Sequence, residues 1–303
     1  MAALYNQVLR PAALPELFAA WNRFPDAVPF AGGTALIRRC TATPDAPLRP
    51  GASSGGSYQE LPSLPANILS LEKLDELRRI SRTERYLEIG AMVRLNEIIA
   101  LGKSVPEGLS TVLRGIAGSQ VRNLATIGGN LCTGGDAAAP MAALDVRYEL
   151  RTAAGSRWVS ALRFSSLAES LGERELLSRI RVPLEPWNYT VYRKFLPRDS
   201  GDEGGVLLLL AKNQKDLLTK IQVVFAKTSS NASLEQDRLG EILLRDKNSE
   251  TFLEGKALPL DRRDAFHYGK LWEVYLSGLE WPGPLLRTKI KNGITAGILG
   301  LAD

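Results

Sequence analysis

The chain has 303 residues, 45% apolar and 23% charged, with a formal net charge of +5, the balance of an ordinary globular protein long enough for two domains. That charge is too mild to require nucleic acid as a partner, and the longest apolar run, Val206–Ala211, is far too short to span a bilayer. Two cysteines, Cys40 and Cys132, and a single histidine, His267, leave no ligand set for an iron–sulfur cluster or a structural zinc and remove most histidine-based catalysis. Reduced thiols and the lack of an apolar signal segment near the N-terminus predict a cytoplasmic protein.

Leu14–Trp21 has the spacing of a short amphipathic helix, and Ala27–Phe30 reads as a strand. It leads into the first of two glycine-bearing turns, Ala31-Gly32-Gly33-Thr34-Ala35-Leu36. Residues Thr41–Pro65, with Gly51-Ala52-Ser53-Ser54-Gly55-Gly56-Ser57 at the centre, read as a flexible connection between subdomains. Ile68–Leu71 and Tyr86–Met92 are expected strands around a helical stretch, Leu74–Ile80. Helices are expected at Leu95–Leu101 and Glu107–Ala117, the second ending on Gly118 as C-cap. The second glycine turn follows in Asn123-Leu124-Ala125-Thr126-Ile127-Gly128-Gly129-Asn130.

A helix at Met141–Leu144 and strands at Val146–Arg151, Trp158–Ala161 and Glu175–Val182 complete an alternating first half. After Pro186 three strands are expected in succession, Asn188–Leu196, Gly205–Lys212 and Thr219–Thr228. Helices follow at Leu234–Leu244, Arg262–Leu279 and Pro284–Leu301. The boundaries are therefore 1–185, divided at about residue 58, and 186–303.

Adjacent glycines allow positive φ and a close approach of backbone to an anion, and successive N–H groups in such turns form anion-binding concavities. An isolated Gly-Gly pair is weak evidence. The longer stretch Val121-Arg122-Asn123-Leu124-Ala125-Thr126-Ile127-Gly128-Gly129-Asn130 is more specific. It resembles the signature of the flavoprotein (medium) subunits of the molybdenum hydroxylases, the family of xanthine dehydrogenase and carbon monoxide dehydrogenase. Ala31–Leu36 resembles that family's other signature. Ile68–Leu71, Leu74–Leu77 and Leu87–Ala91 resemble the strand–helix–strand segment between the two.

The resemblance implies an α+β chain: a two-subdomain FAD-binding fold of the vanillyl-alcohol oxidase (PCMH) type, then a C-terminal domain of a three-stranded sheet plus helices. It implies that Gly32, Gly33 and Thr34 bind the FAD diphosphate through backbone N–H groups and the Thr hydroxyl, with Ala31, Ala35 and Leu36 of the same motif also at the cofactor. Thr126, Gly128, Gly129 and Asn130 would complete the phosphate and ribityl contacts, with Ile127 near the flavin ring. Asp136 stands nine residues before Asp145, the family's spacing, and is the candidate for a polar contact to the cofactor. Its alternative is an Asx-turn residue, and the preceding Cys132-Thr133-Gly134-Gly135 is about three residues shorter than the family's loop. Lys194 and Arg198 match a family Lys and Arg near the flavin; the alternative for Lys194 is a solvated strand end. Trp187, Tyr189, Tyr192 and Phe195 are either flavin-shielding or core aromatics. Neither a catalytic side chain nor a metal ligand is implied on this chain. [2Fe–2S] centres and the molybdenum cofactor would sit on partner chains, an iron–sulfur subunit and a molybdenum subunit, with NAD⁺ or another acceptor receiving the electrons. A stand-alone flavoprotein oxidase or reductase and a flavin-free structural subunit remain as alternatives.

Overall fold

The computed structural model describes residues 7–41, 65–163, 167, 171–196, 204–227 and 243–301. Most of the Gly/Ser-rich connection, Arg198 and the first nine residues of the expected helix Leu234–Leu244 lie outside these. The fold is mixed α+β, organised around three sheets.

The first sheet is parallel, in the order β1 (Gln7–Leu9), β3 (Asn67–Ser70), β2 (Val28–Phe30). Helix α1 (Leu14–Arg23) packs against it because Leu14, Leu17, Phe18 and Trp21 recur on one helical face and are all buried. Helix α2 (Thr34–Thr41) leaves the end of β2.

The second sheet runs β4 (Ile80–Arg82), β5 (Tyr86–Gly90), β8 (Leu176–Pro183), β6 (Arg147–Thr152), β7 (Gly155–Ser160), with antiparallel neighbours. Its inner face joins a core with α3 (Leu95–Ala100), α4 (Glu107–Arg114), α5 (Ser119–Arg122), α6 (Ile127–Cys132) and α7 (Ala138–Ala143) nearby. The expected helix Leu74–Ile80 is only a 3₁₀ turn, Asp75–Arg78, and Ile80 already starts β4. The β-branched Ile80 pairs with Ile89 across the ladder, which extends the strand at the helix's expense.

The outer face of this sheet is laced by charge. Arg179 bridges Glu149 and Glu88, Arg181 binds Glu88 at 2.6 Å, and the Arg181 guanidinium lies 4.1 Å from the Trp158 ring centroid. At its edge Arg157 grips buried Glu175 with two bonds of 2.6 and 2.7 Å. That guanidinium, aided by the Gly172 N–H, holds the Glu175 carboxyl below the usual carboxylate range. A depressed folded pKa contributes stability above the unfolded value of about 4.3, and that contribution is lost as pH falls through the folded value. Melting temperature should therefore drop on acidification below about pH 4, and Glu175→Gln should flatten that part of the profile; equal slopes in both proteins would refute the assignment.

The third sheet has the order β12 (Leu243–Leu244), β11 (Leu217–Lys227), β10 (Gly205–Gln214), β9 (Tyr189–Phe195), all antiparallel. It has four strands rather than the expected three, because Leu243–Leu244 pairs with Phe225 and Ala226 instead of ending a helix. Three helices follow: α8 (Lys247–Leu253), which sequence reading missed, α9 (Arg262–Ser277) and α10 (Pro284–Leu299). The apolar run Val206–Ala211 is explained by burial on both faces. Val206, Leu208 and Leu210 enter the core of the second sheet, while Leu207, Leu209 and Ala211 enter a separate core under α9 and α10. Cross-strand partners share a face, so Lys194 opposite Val206 and Tyr192 opposite Leu208 point at the first half of the chain. Val191 and Phe195 point the other way, into the α9–α10 core with Tyr189. No helix among the described residues is long and apolar enough to cross a membrane.

Candidate functional site

The two glycine motifs are helix starts rather than simple turns. In the first, β2 is tied down by Leu71 N–H donating to Phe30 O at 2.9 Å. The chain then reverses at Gly33, whose φ is +70°, a conformation only glycine adopts freely. Helix α2 begins at Thr34, and Ile37 N–H closes its first turn on Gly33 O. The leading N–H groups of a helix have no acceptor within it. Among the described residues, those of Gly33, Thr34, Ala35 and Leu36 have no partner, and the first turn carries no carboxylate. This end of α2 therefore presents open donors and the positive pole of the helix.

The second motif starts α6, and here the donors are consumed. Thr126 is the N-cap and its Oγ1 accepts from Gly129 N–H at 3.1 Å. Ile127 N–H donates to Val93 O, Gly128 N–H to Ala91 O and Asn130 N–H to Thr126 O. Gly128 is required by packing, since a Cβ there would sit 2.7 Å from that of Ala91. Ile127 is wholly buried in the apolar core and presents no side-chain surface to a ligand. The expected strand-like lead-in to this motif is helix α5, with Gly118 as its N-cap; α4 ends earlier, on Gly115.

The two motifs touch. A Cβ on Gly32 would lie 1.9 Å from Leu124 O, and one on Gly129 would lie 3.8 Å from the Cβ of Ala31. Segments more than ninety residues apart thus meet, Gly32 against Leu124 and Ala125, and Gly129 against Ala31.

Past α6 the short turn folds back on Asn130. Asn130 O accepts from Gly135 N–H at 2.9 Å and Asn130 Oδ1 accepts from Ala137 N–H at 3.1 Å, with Gly134 at φ +65°. Asp136, 4% exposed, is thereby delivered to Lys194, whose Nζ donates to Asp136 Oδ2 at 2.6 Å and to Gly115 O at 3.3 Å. Lys194 is not a solvated strand end: its side chain is 26% exposed and ion-paired. Tyr192, two residues earlier on the same face, has a buried hydroxyl with no hydrogen-bond partner among the described residues. Burial, and then the Asp136 carboxylate, push its phenol up to about 12. The Cys132 thiol beside this region is likewise pushed up to about 12 by burial, so it stays a thiol at neutral pH.

A supporting network that sequence reading did not resolve centres on Arg122. Its guanidinium donates to Arg114 O, Ile116 O and Ala117 O at 3.1, 2.9 and 2.7 Å, and to Asn96 Oδ1 at 3.0 Å. It satisfies the carbonyls released after α4, including that of Ala117 with its φ of +44°, and so fixes the approach to the second motif. Arg122→Ala should cost about 2 kcal/mol in urea unfolding; a loss within a few tenths would show that these bonds are replaced by water.

Residues 37–185 match the model of a family described as the FAD binding domain in molybdopterin dehydrogenase. Over this span, just under half of its length, the chain matches that family's domain. The matched span contains the second motif and Asp136 but begins just after Leu36, so the first motif rests on the geometry above. Over 145 residues the chain is 33% identical to the glyceraldehyde dehydrogenase medium chain of Sulfolobus acidocaldarius, covering 46% of this chain and 51% of that protein. Over 146 residues it is 30% identical to the xanthine dehydrogenase FAD-binding subunit of Escherichia coli O157:H7, covering 45% and 50%. The chain spans about half the length of these curated relatives. The fold is also that of a chain in the crystal structure of the Cu,Mo-CO dehydrogenase, with a TM-score of 0.73, 22% identity and 96% of both chains covered.

FAD, which the family implies, fits these residues. A diphosphate needs several N–H donors and no competing carboxylate, and the first turn of α2 meets both requirements.

Proposed function

We propose that this chain is the FAD-binding electron-transfer subunit of a multi-subunit molybdenum hydroxylase. It would receive electrons from [2Fe–2S] centres on a partner chain and pass them to NAD⁺ or another acceptor, the molybdenum cofactor lying on a further chain. The observation that carries this reading is the direct contact of the two glycine motifs, Gly32 against Leu124. On this reading the contact would frame a single cofactor concavity between the first sheet and the α5–α6 region, in keeping with a two-subdomain fold of the vanillyl-alcohol oxidase type over residues 1–185 and a covering domain over 186–303.

Bound FAD supplies redox chemistry that couples one-electron carriers to a two-electron acceptor. The chain's own residues bind and tune. Gly33, Thr34, Ala35 and Leu36 offer the N–H groups for the diphosphate, and Gly32 keeps the wall free of side chain. Thr126, Gly128 and Gly129 act as the opposite wall. They hold its shape through the Gly129–Thr126 and Gly128–Ala91 bonds, with Ile127 tied to Val93, rather than donating backbone N–H groups to the ligand. Lys194, kept in place by Asp136, supplies a half-buried positive charge that would favour an anionic reduced cofactor. Bonds inside the second motif and the short turn closed on Asn130 also favour a second reading, a flavin-free structural subunit that keeps the fold.

One experiment separates the two. The chain is purified with any partners that accompany it, and the cofactor released on denaturation is identified by chromatography. FAD in stoichiometric amount supports electron transfer; FMN, or no flavin even after reconstitution with FAD, overturns it.

A further inference from the structure

Away from the glycine concavity lies a cleft of about 450 Å³ between the 3₁₀–β4 segment and strands β6 and β8. Its volume is within the range of small-molecule sites, and its lining is dominated by charge: Arg79, Arg151 and Arg179 against Glu76 and Glu149, with Ser178 at the floor. The state of these groups is uneven. Glu149 is already engaged, accepting from Ser178 Oγ at 2.8 Å and from Arg179 Nε and NH2 at 3.1 and 3.2 Å. Arg179 spends its remaining bond on Glu88.

Among the described residues Arg151 hydrogen-bonds one side chain, the exposed Glu76, at 3.3 Å, and an exposed ion pair of that length is worth little. The Arg79 guanidinium has no partner among the described residues. The cleft therefore carries two under-used planar cations beside a buried, already neutralised carboxylate. Guanidinium forks of this kind match the oxygens of carboxylate and phosphate groups.

We infer that this cleft is a second ligand site, which takes a small dianion such as a phosphate or a short dicarboxylate through Arg79 and Arg151. Glu76 is its internal competitor: the incoming anion displaces this carboxylate from Arg151. The site is independent of the flavin reading, because none of its residues belongs to either glycine motif.

The test uses the purified chain saturated with FAD, so that the glycine concavity cannot take up the probe. Inorganic phosphate and succinate are titrated calorimetrically against a chloride control of equal ionic strength. Saturable binding of one or both probes is expected, and the stronger of the two identifies the preferred oxygen geometry. Arg79→Gln and Arg151→Gln should each weaken it at least tenfold. Glu76→Gln should tighten it several-fold, an outcome that a purely structural role for Glu76 does not produce. Melting curves confirm that the variants are folded; these exposed or half-exposed positions make that the expected result. No saturable binding of either probe overturns the inference, as does binding that the Arg79 and Arg151 substitutions leave unchanged. If the chain retains no FAD, the titration is run on the apoprotein with Gly33→Val present to disable the first motif, and the same two outcomes decide.

Discussion

Gly32→Ala should disable the cofactor site while leaving most of the molecule folded. The added Cβ would fall 1.9 Å from Leu124 O and 2.7 Å from Leu124 C, and these are backbone atoms that cannot rotate away. The two walls must separate, at a cost toward the upper end of the range for overpacking, about 3 kcal/mol. Because the site exists only where the walls meet, FAD affinity should fall on the order of 100-fold, equivalent to about 2.7 kcal/mol. Gly278→Ala is the control. Its Cβ would meet only Tyr275 O at 3.5 Å, an ordinary contact, so stability should change by less than about 0.5 kcal/mol. Urea unfolding and fluorescence titration of the apoprotein with FAD measure both quantities. Unchanged affinity in Gly32→Ala would mean that the contact between the motifs is irrelevant to binding.

Arg245→Ala should produce the largest loss of stability of any single change considered. Arg245 and Glu250 are each only 8% exposed in their side chains and are joined by two bonds of 2.8 and 3.0 Å. Arg245 also reaches across to the FAD-binding half, to Asp145 Oδ1 at 2.8 Å and Ala142 O at 3.0 Å. Gln222 adds a bond to Asp145 at 2.9 Å. Removing one partner of a buried pair strands the other and typically costs about 3–5 kcal/mol. The double variant Arg245→Met with Glu250→Leu removes both charges and should recover most of that loss, because an apolar replacement of similar volume avoids an unpaired carboxylate. Equal destabilisation by the single and double variants would show that the bonds to Asp145 and Ala142, not the Glu250 pair, hold the sheet to α7.

Apolar periodicity made most elements legible. Helix α1, the strands β5, β6 and β8, the three long strands of the last sheet and helices α9 and α10 follow directly from it. What escaped was set by contacts between distant residues. Gly-Gly pairs lower helix propensity and so read as turns, yet Val93 O, Ala91 O and Thr126 Oγ1 accept from Ile127, Gly128 and Gly129 and make them the first turn of α6. Leu243–Leu244 looks like a helix end until Phe225 and Ala226 are placed beside it. In the site, the glycines, Asp136 and Lys194 were visible as residue types at family spacing, and the Asp136–Lys194 bond joins two of them. The inequality of the two motifs, one with open N–H groups and one with none, was invisible because it depends on which carbonyls lie nearby. Arg122 was flagged only by its place in the motif; Asn96, its side-chain partner, carried no signal.

The order β1-β3-β2 and the contact between Gly32 and Leu124 also bear on how the protein comes into being. During synthesis the first motif emerges early, but the strand it hangs from has no partner until β3 follows, and its facing wall is missing until Leu124 has been made. A nascent chain halted before that point has the open donors of α2 and nothing opposite them. If FAD binds between the two motifs as proposed, its capture would be a late event in biogenesis, reporting that the FAD-binding half has closed rather than seeding its formation.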